Sequence, residues 1–255
     1  MKTTICQLTD QQRKQFCDDG FFVTDVLFDT VTLDGVQSEF LRMWDEDITK
    51  AKRDGDAKAA EFARLRGFFY HLEKRSATCG AFCRHPQLVA VANQMLGPDI
   101  DMGWDQAIAK APSKGLPFAW HQDAHYASLG DYLPPEVDRA RYFTNDWSIT
   151  MWVAITRTTI ANGTMWAAPG MHKFGLLPHV WNEETRDWHC QFDDSGKVAV
   201  ELQRGQVLVF ANLLPHYSGA NVSNEVRMAY QIGYSIPGVM KNEHQMPVLR
   251  GGQPV

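Results

Sequence analysis

The chain has 255 residues, 44% of them hydrophobic and 22% charged, and carries a formal net charge of −5. That length allows one substantial core, and an acidic balance without a basic run excludes the electrostatic footprint of a nucleic-acid binder. No apolar run approaches a membrane span, and Met1 to Gln7 hold no stretch of signal-peptide length, so a cytoplasmic protein is expected. Five cysteines (Cys6, Cys17, Cys79, Cys83, Cys190) form an odd, irregularly spaced set. They argue against a disulfide framework, and Cys79 with Cys83 lacks the second Cys/His pair of a zinc site.

In chain order, Thr9 with Gln12 three residues on predicts a capping box and a helix that Gly20 should end. Phe21 to Val26 reads as a short strand. Leu33, Val36, Phe40, Leu41, Trp44 and Ile48 recur at helical spacing, so a long amphipathic helix from about Leu33 to Lys52 should pack on something flat. The segment from Asp54 to Ala63 fits either a helix or a solvated connection. A further helix runs from Gln87 to Leu96 and stops at Gly97-Pro98, and His71 and His85 are read as lone histidines, which favours structural or surface roles.

Beyond Gly97 the pattern changes to short alternating or apolar runs separated by turn residues. Strands are predicted near Met102–Ile108, Phe118–Asp123, Trp147–Ile155, Thr164–Ala168, Val198–Leu202, Val207–Ala211, Pro215–Gly219 and Val226–Tyr234. The fold class expected is an all-β core with helices (α+β): a double-stranded β-helix, jelly-roll or cupin-like, with N-terminal helices packed on one face. No repeat or linker divides it. Residues 1–255 are read as a single domain, with a mainly helical cover over 1–100, the β core over 101–235 and a lid insertion over 127–146.

The chemistry gathers around Trp120-His121-Gln122-Asp123. On a strand, His121 and Asp123 face the same way, and two such ligands still need a third. His216, after the apolar run Val207 to Phe210, is the best candidate. Two histidines and a carboxylate on one side of an iron form the facial triad of non-haem Fe(II) oxygenases. A surface His-x-Asp pair is the alternative for the motif taken alone. Arg227, eleven residues past His216 in an apolar strand, must find an anion because a guanidinium keeps its charge. A bound dicarboxylate would supply it, and Ser218 lies on the His216 face where its hydroxyl can join that site.

These residues carry a resemblance. His121-Gln122-Asp123 with His125-Tyr126, the run Asn162 to Lys173, and His216 with Ser218, Asn221, Ser223 and Arg227 resemble the phytanoyl-CoA dioxygenase family of Fe(II)- and 2-oxoglutarate-dependent oxygenases. The resemblance covers nearly the whole chain. It departs at Met171, where the family has a small hydroxylated residue, and in the insertion between Tyr126 and Trp147. It implies Fe(II) held by His121, Asp123 and His216, and 2-oxoglutarate and O2 as cosubstrates. It further implies a cosubstrate pocket with Arg227, Ser218, Trp152 and Gln106. Asp123 implies hydroxylation rather than halogen transfer, since halogenating relatives have a small residue there.

Candidates on the substrate side are His125, Tyr126, Arg141, Trp166 and His172, with Lys110 or Arg141 for an acid group. The expected reaction oxidises an unactivated C–H of a small organic metabolite and releases succinate and CO2. No nucleic-acid or membrane partner is expected. A coenzyme A thioester is disfavoured because no basic cluster for its phosphates stands out. A cupin-like metal protein without 2-oxoglutarate, or a non-catalytic family member, remains the alternative.

Overall fold

The computed structural model describes residues 5–129, 147–185, 187–239 and 245–255. Helix α1 (Asp10–Asp19) opens on the predicted capping box: Thr9 Oγ1 accepts from Gln12 N at 3.1 Å and Gln12 Oε1 accepts from Thr9 N at 3.0 Å. Gly20 closes it in the left-handed region. Strand β1 (Phe21–Val23) and helix α2 (Thr30–Arg53) follow, the latter capped by Asp29. Next come α3 (Ala57–Leu65), β2 (Arg66–Tyr70), α4 (Leu72–Arg75), α5 (Ala77–Cys83) and α6 (Pro86–Leu96). His85 accepts from Gln87 N at the start of α6, which gives it the structural role expected.

The β region contains β3 (Ile100–Lys110), β4 (Phe118–His121), helix α7 (Asp123–Leu129), β5 (Ser148–Ala154), β6 (Met165–Ala167), and a short 3-10 turn (Met171–Phe174). It continues with β7 (His179–Asn182), β8 (Asp187–Cys190), β9 (Val198–Val200), β10 (Val207–Ala211), β11 (His216–Ser218), β12 (Arg227–Ser235), β13 (Met246–Arg250) and β14 (Gln253–Pro254). The larger sheet runs β1-β10-β5-β12-β3-β13-β14, with β2 also on β3. The smaller runs β4-β11-β6-β9, and β7 with β8 forms a separate hairpin. All pairings are antiparallel. The expected cupin-like core is present, and it is an open pair of sheets rather than a closed barrel.

Strand alternation assigns the two faces of the larger sheet. On β12, Tyr230 points outward and meets Phe40 of α2 edge-on at 5.2 Å and Phe82 of α5 at 5.8 Å. Arg227 and Gln231 point inward, as do Trp104, Gln106 and Ile108 of β3 and Trp152 of β5. The helices therefore cover the outer face. The inner face and the smaller sheet enclose a cavity of about 1030 Å³.

One expected element is overturned, an open one is settled as helix, and several strands carry no sequence signal. The strand read as Phe118–Asp123 ends at His121, and Asp123 opens a helix. Buried Gln122 turns the chain there: its amide nitrogen donates to the Gly175 and Leu213 carbonyls and its oxygen accepts from Leu177 N, anchoring it to loops. The segment from Asp54 to Ala63 is largely α3, and the unpredicted β2 follows it with no intervening loop, so helical composition masks the strand. The β7–β8 hairpin and the C-terminal pair were also unread. Of the lid insertion, residues 130–146, including Arg141, lie outside the described residues. No helix among those described is long and apolar enough to cross a membrane.

Candidate active site

His216 and His121 are cross-strand partners on β11 and β4, which sets their rings 4.2 Å apart between centroids. Asp123, two residues past His121, brings Oδ1 to 3.8 Å from His121 Nε2 and 3.7 Å from His216 Nε2. The three ligand atoms lie within 4.8 Å of one another. Each imidazole is oriented by its other nitrogen: His121 Nδ1 lies 2.7 Å from the Ala119 carbonyl and His216 Nδ1 2.9 Å from the Leu214 carbonyl. Since a carbonyl only accepts, Nδ1 carries the hydrogen and Nε2 offers its lone pair to the common point. Burial, followed by the neighbouring His121, pushes the His216 imidazole down to about 4, so it is neutral as a ligand must be.

The second oxygen of Asp123 is held independently. Oδ2 accepts from Thr150 Oγ1 at 3.0 Å and from Gln231 Nε2 at 3.2 Å, and Gln231 Oε1 accepts from Gln106 Nε2 at 2.9 Å. Two imidazoles and one carboxylate, with lone pairs converging at the wall of the cavity, match the donor types that a facial iron triad uses.

Along the same cavity, Arg227 is fully buried. Its Nη2 donates to the Gly163 carbonyl at 3.0 Å, its carbon Cζ lies 5.3 Å from the Trp152 ring, and Nε and Nη1 have no partner. Burial alone pushes this guanidinium down to about 9, since no carboxylate among the described residues pairs with it. Gly163 makes the contact possible. Its φ is +82° and an added Cβ would stand 2.5 Å from the Gly219 carbonyl. Beside Arg227, Lys110 is also buried, and its Nζ donates to the Ser218 hydroxyl at 2.8 Å, to the Ser218 carbonyl at 3.2 Å and to the Gly219 carbonyl. Burial, then Arg227 and Arg66, push Lys110 down to about 5. A family model for phytanoyl-CoA dioxygenase matches residues 16–229.

The chain belongs to the phytanoyl-CoA dioxygenase family. Over 238 residues it is 23% identical to the human peroxisomal phytanoyl-CoA dioxygenase, covering 87% of this chain and 67% of that protein. An Arabidopsis thaliana phytanoyl-CoA dioxygenase aligns over only 38% of its own length, at 28% identity. Among solved structures, the non-heme monooxygenase ThoJ is 28% identical with a TM-score of 0.64, covering 88% of this chain and 76% of that one. EctD from S. alaskensis, solved with 2-oxoglutarate and 5-hydroxyectoine, shares the fold at 19% identity and a TM-score of 0.66, covering 91% and 77%.

In this member of the phytanoyl-CoA dioxygenase family, the cavity is lined by His121, Asp123 and His216, and also by Arg227, Ser218, Trp152, Gln106 and Tyr126. Tyr126 donates its hydroxyl to Asp187 at 2.9 Å. Other candidates sit elsewhere. His125 does not line the cavity because the helix beginning at Asp123 replaces the strand and turns its ring onto His179, 3.9 Å away and nearly parallel. Trp166 stacks on Tyr217 at 5.9 Å along β6 rather than lining the cavity. His172 is buried against the end of α1, where a Cβ on Gly20 would meet its ring at 2.5 Å. Lys110 is committed to Ser218 and Gly219 and is not at hand for a substrate acid.

Sequence reasoning missed Thr150, Gln231 and Arg66. Alternation could have found the first two, since Thr150 shares a face with Trp152 and Gln231 with Arg227. Arg66 carried no such signal without β2.

Proposed function

We propose that this chain is an Fe(II)- and 2-oxoglutarate-dependent oxygenase that hydroxylates an unactivated C–H of a small organic metabolite. The observation that carries this is a buried guanidinium with Nε and Nη1 unpartnered, in the cavity where two imidazoles and a carboxylate converge. His121, Asp123 and His216 would hold the iron, and Arg227 would grip the distal carboxylate of 2-oxoglutarate in a forked contact with Ser218 beside it. When bound, iron and 2-oxoglutarate supply the activation of O2 by oxidative decarboxylation, with succinate and CO2 released. The protein's part is orientation. The Ala119 and Leu214 carbonyls keep both Nε2 atoms deprotonated, Thr150 and Gln231 fix the carboxylate, and Trp152 walls off water beside the anion site.

The presence of Asp123 in the donor set supports hydroxylation over halogen transfer, because a carboxylate fills the position a halide would need. We read the protein as one catalytic unit, supported by a hydrophobic cluster that runs from Phe16 of α1 to Leu249 of β13. A cytoplasmic location is supported by composition alone. Anaerobic addition of Fe(II) and then 2-oxoglutarate should produce a visible metal-to-ligand charge-transfer band that Arg227→Ala weakens. Iron binding without that band would make the chain a metal protein that does not use 2-oxoglutarate.

A further inference from the structure

A second arginine faces the cavity, and nothing in the reaction above employs it. Arg66 on β2 is the cross-strand partner of Lys110, which is in turn the partner of Arg227. Three basic side chains thus stand in one row of the larger sheet, and the two arginines on either side of Lys110 keep their charge. The two arginines flank Lys110 in different surroundings. Arg227 lies against Trp152 and Gly163, whereas the Arg66 guanidinium lies between Phe118, 4.0 Å away, and Phe62, 4.7 Å away.

Arg66 Nη1 donates to the Pro117 carbonyl at 3.1 Å, while its buried Nε has no partner, and none of the ion pairs among the described residues includes it. Burial lowers its pKa, opposed by Asp187, Tyr70 and Tyr126. The Asp187 carboxylate does not reach it as an ion pair and already accepts from the Tyr126 hydroxyl and from Trp188 N. A half-buried guanidinium with flat apolar walls and a vacant Nε donor favours a carboxylate that enters with an apolar body behind it.

We propose that Arg66 is the anion subsite for the primary substrate, and that this substrate is an organic acid with an apolar chain or ring. The inference rests on the oxygenase reading of the same cavity. Register gives a size. Tyr70 pairs with Gln106, whose amide leads through Gln231 to Asp123, so Tyr70 stands level with the triad. Arg66 lies four residues back along the strand, about 13 Å at about 3.3 Å per residue. That span runs along Phe68 and Ile108 and suits an apolar body of about six to ten carbons behind the carboxylate.

The test uses full-length protein loaded with redox-inert Ni(II). Binding of 2-oxoglutarate is measured first by calorimetry, and its absence would remove the oxygenase reading itself. Hexanoate, octanoate and decanoate are then titrated into the Ni(II)·2-oxoglutarate protein against their amides. If 2-oxoglutarate does not bind, the same titrations are run on the Ni(II) protein. At least one acid should bind about tenfold or more tightly than its amide. Arg66→Met should erase that preference, with amide and 2-oxoglutarate affinities within about twofold, and Arg66→Lys should restore part of it. Equal affinity for acid and amide, no saturable binding of any acid, or an Arg66→Met loss that falls on 2-oxoglutarate instead would each overturn the proposal.

Discussion

Gln231 Nε2 donates to Asp123 Oδ2 at 3.2 Å, which leaves the other oxygen of the same carboxylate to the two histidines. Thr150 supports the same oxygen from the next strand. The carboxylate is therefore oriented before any metal arrives, and two neutral side chains do the orienting.

Gln231→Leu combined with Thr150→Val should weaken Fe(II) binding about 10–100-fold, the usual effect of losing partners of a metal ligand. The cooperative unfolding transition should survive, since both positions stay filled by side chains of similar size. Anaerobic Fe(II) titration with circular dichroism melting checks both halves; unchanged iron affinity would show that Asp123 needs no such support.

Arg227→Met should act in opposite directions on stability and on cosubstrate binding. Removing a buried cation with two unpartnered nitrogens should leave ligand-free stability unchanged or raise it by about 1–4 kcal/mol. The same change should abolish the stabilisation that saturating 2-oxoglutarate confers on the native protein. Thermal melts with and without 2-oxoglutarate separate the two effects.

Lys110 predicts a pH dependence. Burial and the two arginines hold it at about 5 in the ligand-free protein, well below the usual lysine range near about 10.4. A dianion bound beside it raises that pKa, so the complex carries more protons than the free protein at every pH between the two limits. Binding should therefore take up protons at neutral pH, up to one per site, and 2-oxoglutarate affinity should fall as pH rises through that window. Calorimetry in buffers of differing ionisation enthalpy reads the sign directly; proton release would contradict the assignment.

Gly163→Ala should lose stability and cosubstrate affinity together. The residue combines φ of +82° with a carbonyl 2.5 Å from the would-be Cβ, and its own carbonyl anchors Arg227. A cost of about 1–3 kcal/mol from the backbone alone is expected, with a further loss in 2-oxoglutarate affinity as the guanidinium shifts. Chemical denaturation and calorimetry measure the two effects.

On the outer face of the sheet, Phe40→Ala should destabilise by about 3–5 kcal/mol, because the ring is fully buried on Tyr230 between α2 and β12. Denaturant melts give the value, and the iron affinity of the folded variant should not change.

Several features were legible from local order alone. The Thr9–Gln12 box, the apolar stripe of α2 and the β pattern after Gly97 follow from backbone geometry that a few consecutive residues impose. So did the shared face of His216 and Ser218, because alternation along a strand depends only on counting by two. That also explains how Arg227 stood out: a permanent charge in an apolar strand demands a partner wherever the strand lies.

What local order could not decide was which distant side chains meet. Asp123 lies beside His121 and His216 from a helix rather than a strand, because the turn after His121 depends on Gln122 bonding to Gly175 and Leu213 far along the chain. His125 left the cavity for the same reason, and Arg66 entered it only because β2 pairs with β3. Periodicity is a property of neighbouring residues, and it predicts the face a side chain occupies. Convergence on one cavity is a property of long-range pairing, so the donor set, its supports and the second arginine were decided by the tertiary structure.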